Sequence, residues 1–253
     1  MGKHVAPPTP TKKKRANVFW NIVGVVGELL ITFAFVIGLF SVWQLYWTTY
    51  QVSGQVSQTI ASYEEEHQPA KRTQGEIRTD DPPAFDREVG DGEVYGLVHV
   101  PTWDWMKIPL AEGTTSYVLD QGWAGHYDMT TQPGGVGNFS VAGHRRTYGN
   151  NFRWIDRLTQ GDKVVVEVDD RYLVYSMVSS EIIDATDPTQ MRVVAPVIDD
   201  ESWSEVPTER WMTMTTCHPE YGNWQRYIVH LKFESWTPKD TGVPAELVDE
   251  PTN

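Results

Sequence analysis

The chain has 253 residues and a mass of 28.8 kDa, room for one sizeable domain with appendages or two small ones. A formal net charge of −13 and a pI near 4.9 exclude a nucleic-acid binder, and 40% hydrophobic against 22% charged residues excludes wholesale disorder. One cysteine excludes an internal disulfide framework or a multi-cysteine zinc site, while eleven tryptophans and eleven tyrosines point to β-structure, membrane-interface anchoring, or both.

The chain begins basic. Residues 1–17 carry Lys3, Lys12, Lys13, Lys14 and Arg15 and no acid, residues 18–50 carry only Glu28, and the remainder holds 16 basic and 33 acidic residues, a balance of −17. A basic tip, an apolar stretch and an acidic body read as one membrane-anchored protein. Residues 1–17 are expected to be a cytoplasmic tip and 18–50 a transmembrane anchor. Within it Leu29–Trp47 is uncharged for nineteen residues, about 28 Å of helix at 1.5 Å per residue, close to the thickness of a bilayer core. A span starting near Leu29 moves Glu28 toward the headgroups and sets Trp43, Tyr46, Trp47 and Tyr50 in the far aromatic belt. The alternative buries Glu28 beside a partner. The run is too long for a signal peptide, and no small-residue cleavage site follows it. The basic cluster before the span places the N-terminus in the cytoplasm and everything from about residue 50 outside.

Residues 51–92 are polar and strand-poor and read as an extracytoplasmic stalk, with some helix expected over 52–66. Residues 93–237 read as short strands with turn punctuation. Val94–Val100, Val136–His144, Lys163–Val168, Tyr172–Ser179, Trp211–Cys217 and Arg226–Phe233 are the strand candidates. Asn151–Leu158 is the helix candidate, with Phe152, Ile155 and Leu158 at helical spacing. Seven or eight strands in this stretch suggest a mainly β barrel or sandwich. Residues 238–253 read as a disordered tail.

Cys217 closes the strand WMTMTTC before the turn HPEYGNWQ, where a thiol is accessible yet held on a rigid element. Its alternative is an inert buried cysteine. A nucleophilic cysteine needs a base or cation beside it. His144 in GNFSVAGHRRTYG ends a strand after Gly143, and a glycine there lets another chain approach closely. His126 in AGHY is the second choice. His218 is adjacent to Cys217, but neighbouring strand residues face opposite ways, and His230 reads as a plain strand residue. Arg226 begins the strand after the eight-residue connection 218–225, so a hairpin sets it across from Cys217, where a guanidinium stabilises a thiolate or an oxyanion.

GNFSVAGHRRTYG and TMTTCHPEYGNWQRYIVH resemble the His and Cys/Arg motifs of the sortases, membrane-anchored cysteine transpeptidases of Gram-positive bacteria. The resemblance covers 93–237, and the anchor and stalk follow the family layout. Cys-His-Pro after Thr-Thr, with AGHY upstream, is most similar to class E. Class C carries an Asp-Pro-aromatic lid that Asp81-Pro82-Pro83-Ala84-Phe85 does not match. The resemblance implies a single eight-stranded sortase β-barrel with short helices, Cys217 as nucleophile, His144 as general acid/base and Arg226 as stabiliser of substrate and oxyanion. His126, Thr216 and Tyr221 are set down as substrate-binding candidates. No acidic loop matches the family's calcium site, so neither metal nor cofactor is expected. The implied reaction cleaves an LPxTG- or LAxTG-like sorting signal between Thr and Gly through a thioester. It then joins the protein to a cell-wall or pilin amine. The implied partners are LPxTG/LAxTG-type surface proteins, that amine acceptor and the lipid bilayer. Two other readings stay open: an L,D-type transpeptidase, although this cysteine lacks a Ser-x-Gly-Cys-x-Arg setting, and a non-enzymatic membrane-anchored binding module.

Overall fold

The computed structural model describes Gly2 and residues 13–69 and 71–251, without the side chains of 13–17, 44–46 and 48. Most of the expected basic tip, and Tyr46 of the expected aromatic belt, therefore lie outside the described residues. The chain divides into two units, Met1–Leu45 and Tyr46–Asn253. Helix α1, Lys13–Glu66, passes through the boundary, and no proline interrupts residues 11–68.

In the first unit Val18–Trp43 is long and apolar enough to cross a membrane by length and composition. Its side chains are exposed on every face, Leu29 and Phe35 alike, which is compatible with a membrane-crossing helix. This apolar window begins at Val18, before Glu28, and not at Leu29.

The second unit is a closed barrel of eight strands. These are β1 (Val94–Val100), β2 (Met106–Glu112), β3 (Ala124–His126), β4 (Gly137–Ala142), β5 (Lys163–Val168), β6 (Arg171–Asp184), β7 (Arg210–His218) and β8 (Gln225–Pro238), in the order β1-β2-β3-β4-β7-β8-β6-β5. A one-turn helix α2, Ser116–Leu119, lies between β2 and β3. Period-two alternation builds the interior. Val98 and Val100, Ile108 and Leu110, Phe139 and Val141, Val164 and Val166, Leu173 and Tyr175, Met212 and Met214, and Val229 and Leu231 all point into one core. Each such aliphatic side chain contributes about 1.5–3 kcal/mol by leaving water.

Six strands fall where the sequence places them; β2 and the three-residue β3 were not legible in it. The helix expected at 151–158 is instead a turn followed by a 3₁₀ turn, Ile155–Arg157. The spacing of Phe152, Ile155 and Leu158 is still meaningful, because all three are buried and join the barrel core.

Two linker expectations are corrected. Residues 238–251 are not a disordered tail. Val243 and Leu247, the latter in a 3₁₀ turn at Ala245–Leu247, cover Val165, Tyr172 and Val174 on the outer face of β5 and β6. That face is apolar on both sides, so something must cover it. Residues 51–92 are not a free stalk either. Helix α1 packs on the barrel through Tyr63, whose hydroxyl donates to Tyr95 O at 3.3 Å, and Gln55 Nε2 donates to Gln121 Oε1 at 2.8 Å. Gln74 and Arg78 form β-bridges with Val243 and Trp236. Asp81 pairs with Arg210 at 2.9 Å, and Phe85 packs on Tyr95. Trp236 and Arg210, the partners of Arg78 and Asp81, lie at the barrel end opposite Cys217.

Candidate active site

Three strand ends converge at one rim. β4 runs parallel to β7 with Ala142 opposite Thr215. The ladder continues one residue further: Gly143 N–H donates to Thr215 O at 3.1 Å, and Thr216 Oγ1 donates to Gly143 O at 2.6 Å. Extending that register sets His144 level with Cys217. β8 runs antiparallel to β7 with Cys217 directly opposite Arg226. Since Met212 and Met214 point inward, Thr213, Thr215 and Cys217 form the outward row. Cross-strand partners share a face, so His144, Cys217 and Arg226 lie side by side on the outside of the barrel. On the inner side Gly143 leaves room for the Phe152 ring, which a Cβ there would meet at 2.8 Å.

Each of the three has a distinct environment. Cys217 is free and half-buried. His144 is one-quarter exposed; its Nε2 lies 2.8 Å from Asp120 Oδ1, and its ring lies against Tyr148 with centroids 5.2 Å apart. A carboxylate only accepts, so Nε2 carries the proton in this contact. Arg226 Nη1 donates to Asn223 O at 2.8 Å and Gln225 O at 2.9 Å, so the turn's own backbone holds the guanidinium at the rim.

Around them the face is closed by polar networks. Tyr127 hydroxyl and Thr215 Oγ1 are 2.9 Å apart. Burial pushes the Tyr127 phenol up, against the lowering effects of its Thr215 hydrogen bond and the Arg226 charge, so the phenol stays protonated. Arg145, buried, donates from Nη1 to His218 Nδ1 at 2.9 Å and pairs through Nη2 with Asp156 at 2.8 Å. Burial, and then the Arg145 charge, lower the His218 pKa. A nitrogen that accepts from arginine is unprotonated, so His218 is neutral and turned away from the thiol. Thr213 Oγ1 donates to Asn138 Oδ1 at 2.8 Å and lies 2.9 Å from His230 Nδ1, which ties His230 into the structure as a strand residue.

Of the three substrate-binding candidates, two are corrected. His126 is fully buried, with ring nitrogens 2.9 Å from Glu112 Oε2 and 3.0 Å from Thr131 O and the ring against Phe139, and so has no free edge for a ligand. Thr216 is buried and spends its hydroxyl on Gly143. Tyr221 alone is exposed, on the turn after β7, with the Arg146 guanidinium 4.9 Å over its ring. The residue beside His126 matters more: Tyr127 faces the site because neighbouring strand residues face opposite ways. Asp120 and Arg145 were also missed. Asp120 lies 24 residues before His144 with no motif linking them. Among the described residues no group of three or more His, Cys, Asp or Glu could hold a metal ion.

A protonated or neutral imidazole, a thiol and a fixed guanidinium on one face can carry out acyl transfer: nucleophile, proton carrier and oxyanion stabiliser. The comparisons agree with that chemistry. Residues 98–234 match the family model described as Sortase domain. Sortase SrtE1 of Streptomyces coelicolor is 37% identical over 229 residues, 88% of this chain and 60% of that protein. This chain thus spans less than two thirds of that relative. SrtE2 of the same organism is 30% identical, covering 86% of this chain and 84% of the relative. Among solved structures, the SrtA sortase from Actinomyces oris superposes with a TM-score of 0.64 at 43% identity, over 70% of this chain and all of that one. Sortase E1 from S. coelicolor, with a tripeptide in its active site, gives a TM-score of 0.55 at 38% identity, over 63% of this chain and 99% of that one.

Proposed function

The chain belongs to the sortase family, and from that premise we propose that it is a membrane-anchored cysteine transpeptidase acting on a C-terminal sorting signal of the LPxTG or LAxTG type. The observation that carries this reading is the strand register that aligns Cys217 with Arg226 across one ladder and with His144 across the other. The tripeptide in the active site of the S. coelicolor sortase E1 structure supports a peptide substrate at the matching site.

In the first step the Cys217 thiolate attacks the threonine carbonyl carbon. Arg226 donates to the oxyanion, the Thr–Gly amide breaks, and protonated His144 delivers a proton to the departing glycine amine. The thioester is then attacked by an amine of a cell-wall precursor or a pilin. His144 takes that amine's proton, a new amide forms, and the thiolate is released. Asp120 holds His144 Nε2–H, which turns Nδ1 toward the exchange, and Tyr127 fixes Thr215 beneath the thiol. Neutral His218 takes no part in proton transfer. The apolar helix holds the enzyme at the bilayer, where precursor and lipid-linked acceptor both reside, raising its effective concentration toward them.

The test is to incubate the full chain in nanodiscs with LPxTG and LAxTG peptides and candidate amines. Cleavage between Thr and Gly, transfer to an amine, and a thioester adduct trapped on Cys217 are expected. Thr–Gly bonds left intact in both peptides would sink the reading.

A further inference from the structure

His144 opens a loop that bears four arginines before β5 begins: Arg145, Arg146, Arg153 and Arg157. Their partners divide them. Arg145 is consumed by Asp156 and His218, and Arg146 pairs with Glu220 beside Tyr221. Arg153 and Arg157 have no carboxylate partner among the described residues. Both guanidinium groups instead lie against one indole, with Cζ 3.8 Å and 5.0 Å from the Trp154 ring centre. The Nε atoms of Arg146 and Arg153 are buried and find no hydrogen-bond partner among the described residues. Burial, and then the charges of Arg146 and Arg157, hold Arg153 below the usual arginine range, so the three cations share one field. Beyond residue 50 acids outnumber bases by 33 to 16, yet the one acid between Arg153 and Arg157, Asp156, pairs with Arg145 instead. Crowded, unpaired guanidinium groups repel each other, and a bound anion would relieve that repulsion.

We infer that Arg153 and Arg157, with Arg146 at their edge, form the docking site for a phosphate- or pyrophosphate-bearing group on the amine acceptor. The inference rests on the transpeptidase reading above and locates that reaction's second substrate. A single guanidinium fork saturates one carboxylate, whereas adjacent forks suit an anion with several oxygens. Position is the second reason. The incoming amine loses its proton to His144 and so must approach from the His144 side. The arginine-bearing stretch is tied to that residue by Phe152 N–H donating to His144 O at 3.0 Å. Asp156, in the same loop, and Glu220 are already occupied by Arg145 and Arg146.

The test uses the full chain in phosphatidylcholine nanodiscs, a sorting-signal peptide as donor, and two acceptors: triglycine, and triglycine carrying a diphosphate monoester. The diphosphate-bearing amine should show a KM lower by about tenfold or more, the scale of one or two charge-assisted contacts. Inorganic pyrophosphate should compete with it and not with plain triglycine. The double variant Arg153→Gln/Arg157→Gln should lose that advantage. Its donor cleavage without acceptor, and its transfer to plain triglycine, should stay within about twofold of wild type, the small effect expected of surface changes. The Arg153→Lys/Arg157→Lys variant should lie between. Equal KM for both amines in the wild type, or an unchanged preference in the Gln variant, overturns the inference. Calorimetric titration with pyrophosphate needs no turnover, so it decides the arginine site even if donor cleavage fails and the transpeptidase reading falls. Loss of pyrophosphate binding when phosphatidylglycerol replaces phosphatidylcholine would assign the arginines to lipid headgroups and also overturn it.

Discussion

Arg226 and Asp120 carry the sharpest consequences among single residues. Two carbonyls of its own turn, Asn223 O and Gln225 O, fix the Arg226 guanidinium opposite Cys217. Arg226→Lys keeps the charge but not the planar fork that those carbonyls orient. Its turnover should therefore fall nearly as far as that of Arg226→Ala, by about 10²–10³, the scale of one lost oxyanion donor. Steady-state rates of both variants, with melting curves to show folding, check this; near-normal turnover in the lysine variant would leave only a Cys/His pair. Asp120 accepts from His144 Nε2 at 2.8 Å. Asp120→Asn removes an acceptor-only partner and frees the ring to take either tautomer. Turnover should drop by about tenfold or more while the melting temperature holds, since positioned proton transfer contributes about 10²–10⁴. Nitrogen chemical shifts of the His144 ring report the tautomer directly, and an unchanged tautomer with unchanged rate would reduce Asp120 to a bystander. Cys217→Ala should abolish transfer and leave the fold intact, because the covalent step has no substitute.

At the scale of elements, a buried ion network binds the end of α1 and the C-terminal segment to the barrel. His99 Nε2 lies 2.7 Å from Glu167 and Nδ1 2.8 Å from Glu250; Lys107 reaches Glu64 at 2.5 Å and Glu250 at 3.1 Å, and Lys239 reaches Glu167 at 2.7 Å. Burial alone would lower the His99 pKa, but its two carboxylate partners overcome it and raise the value to about 9. Burial likewise opposes ionisation of Glu167 and Glu250, but His99, together with Lys239 at Glu167 and Lys107 at Glu250, outweighs it and lowers both. The raised His99 value makes its contribution complete below its ordinary pKa of 6.5, and that contribution fades as pH rises through about 9. The lowered glutamates contribute fully above their ordinary value of 4.5, and they fail as pH falls through their folded values. Both hold together between about pH 4.5 and 6.5, so thermal stability should peak there and decline toward pH 9. Glu250→Gln should flatten the alkaline decline and cost about 3 kcal/mol, because it takes one of two carboxylates from each of two buried cations, His99 and Lys107. Calorimetric melts across pH on both proteins check this. A parallel alkaline decline in the variant would remove the His99–Glu250 pair as its cause.

For the whole molecule the topology is the open measurement. Five basic residues precede the apolar span and an acidic body follows it, so protease added to intact protoplasts should degrade the body and spare the N-terminus. Protection of the C-terminal segment would reverse the orientation. The apolar helix, six of the eight strands and the Cys217–Arg226 hairpin were legible in the sequence, because each follows from local periodicity: uninterrupted apolar length, alternation of two, and a short turn between two strands. β3 was not, since three residues carry no period. The tail was misread because polar, Pro-rich composition describes solubility. Its docking depends on Val165, Tyr172 and Val174, an outward apolar face that reveals itself only when the barrel is closed. His126 and Tyr127 show the same divide at one motif. The phrase AGHY marked the right place, but only the strand's facing decided that the histidine is buried on Glu112 and the tyrosine reaches Thr215. Chain order and local pattern singled out Cys217, His144 and Arg226 as the candidate residues. The parallel pairing of β4 with β7, across sixty-seven residues of intervening chain, decided that His144 comes level with Cys217, because long-range register is set by which faces the closed core must bury.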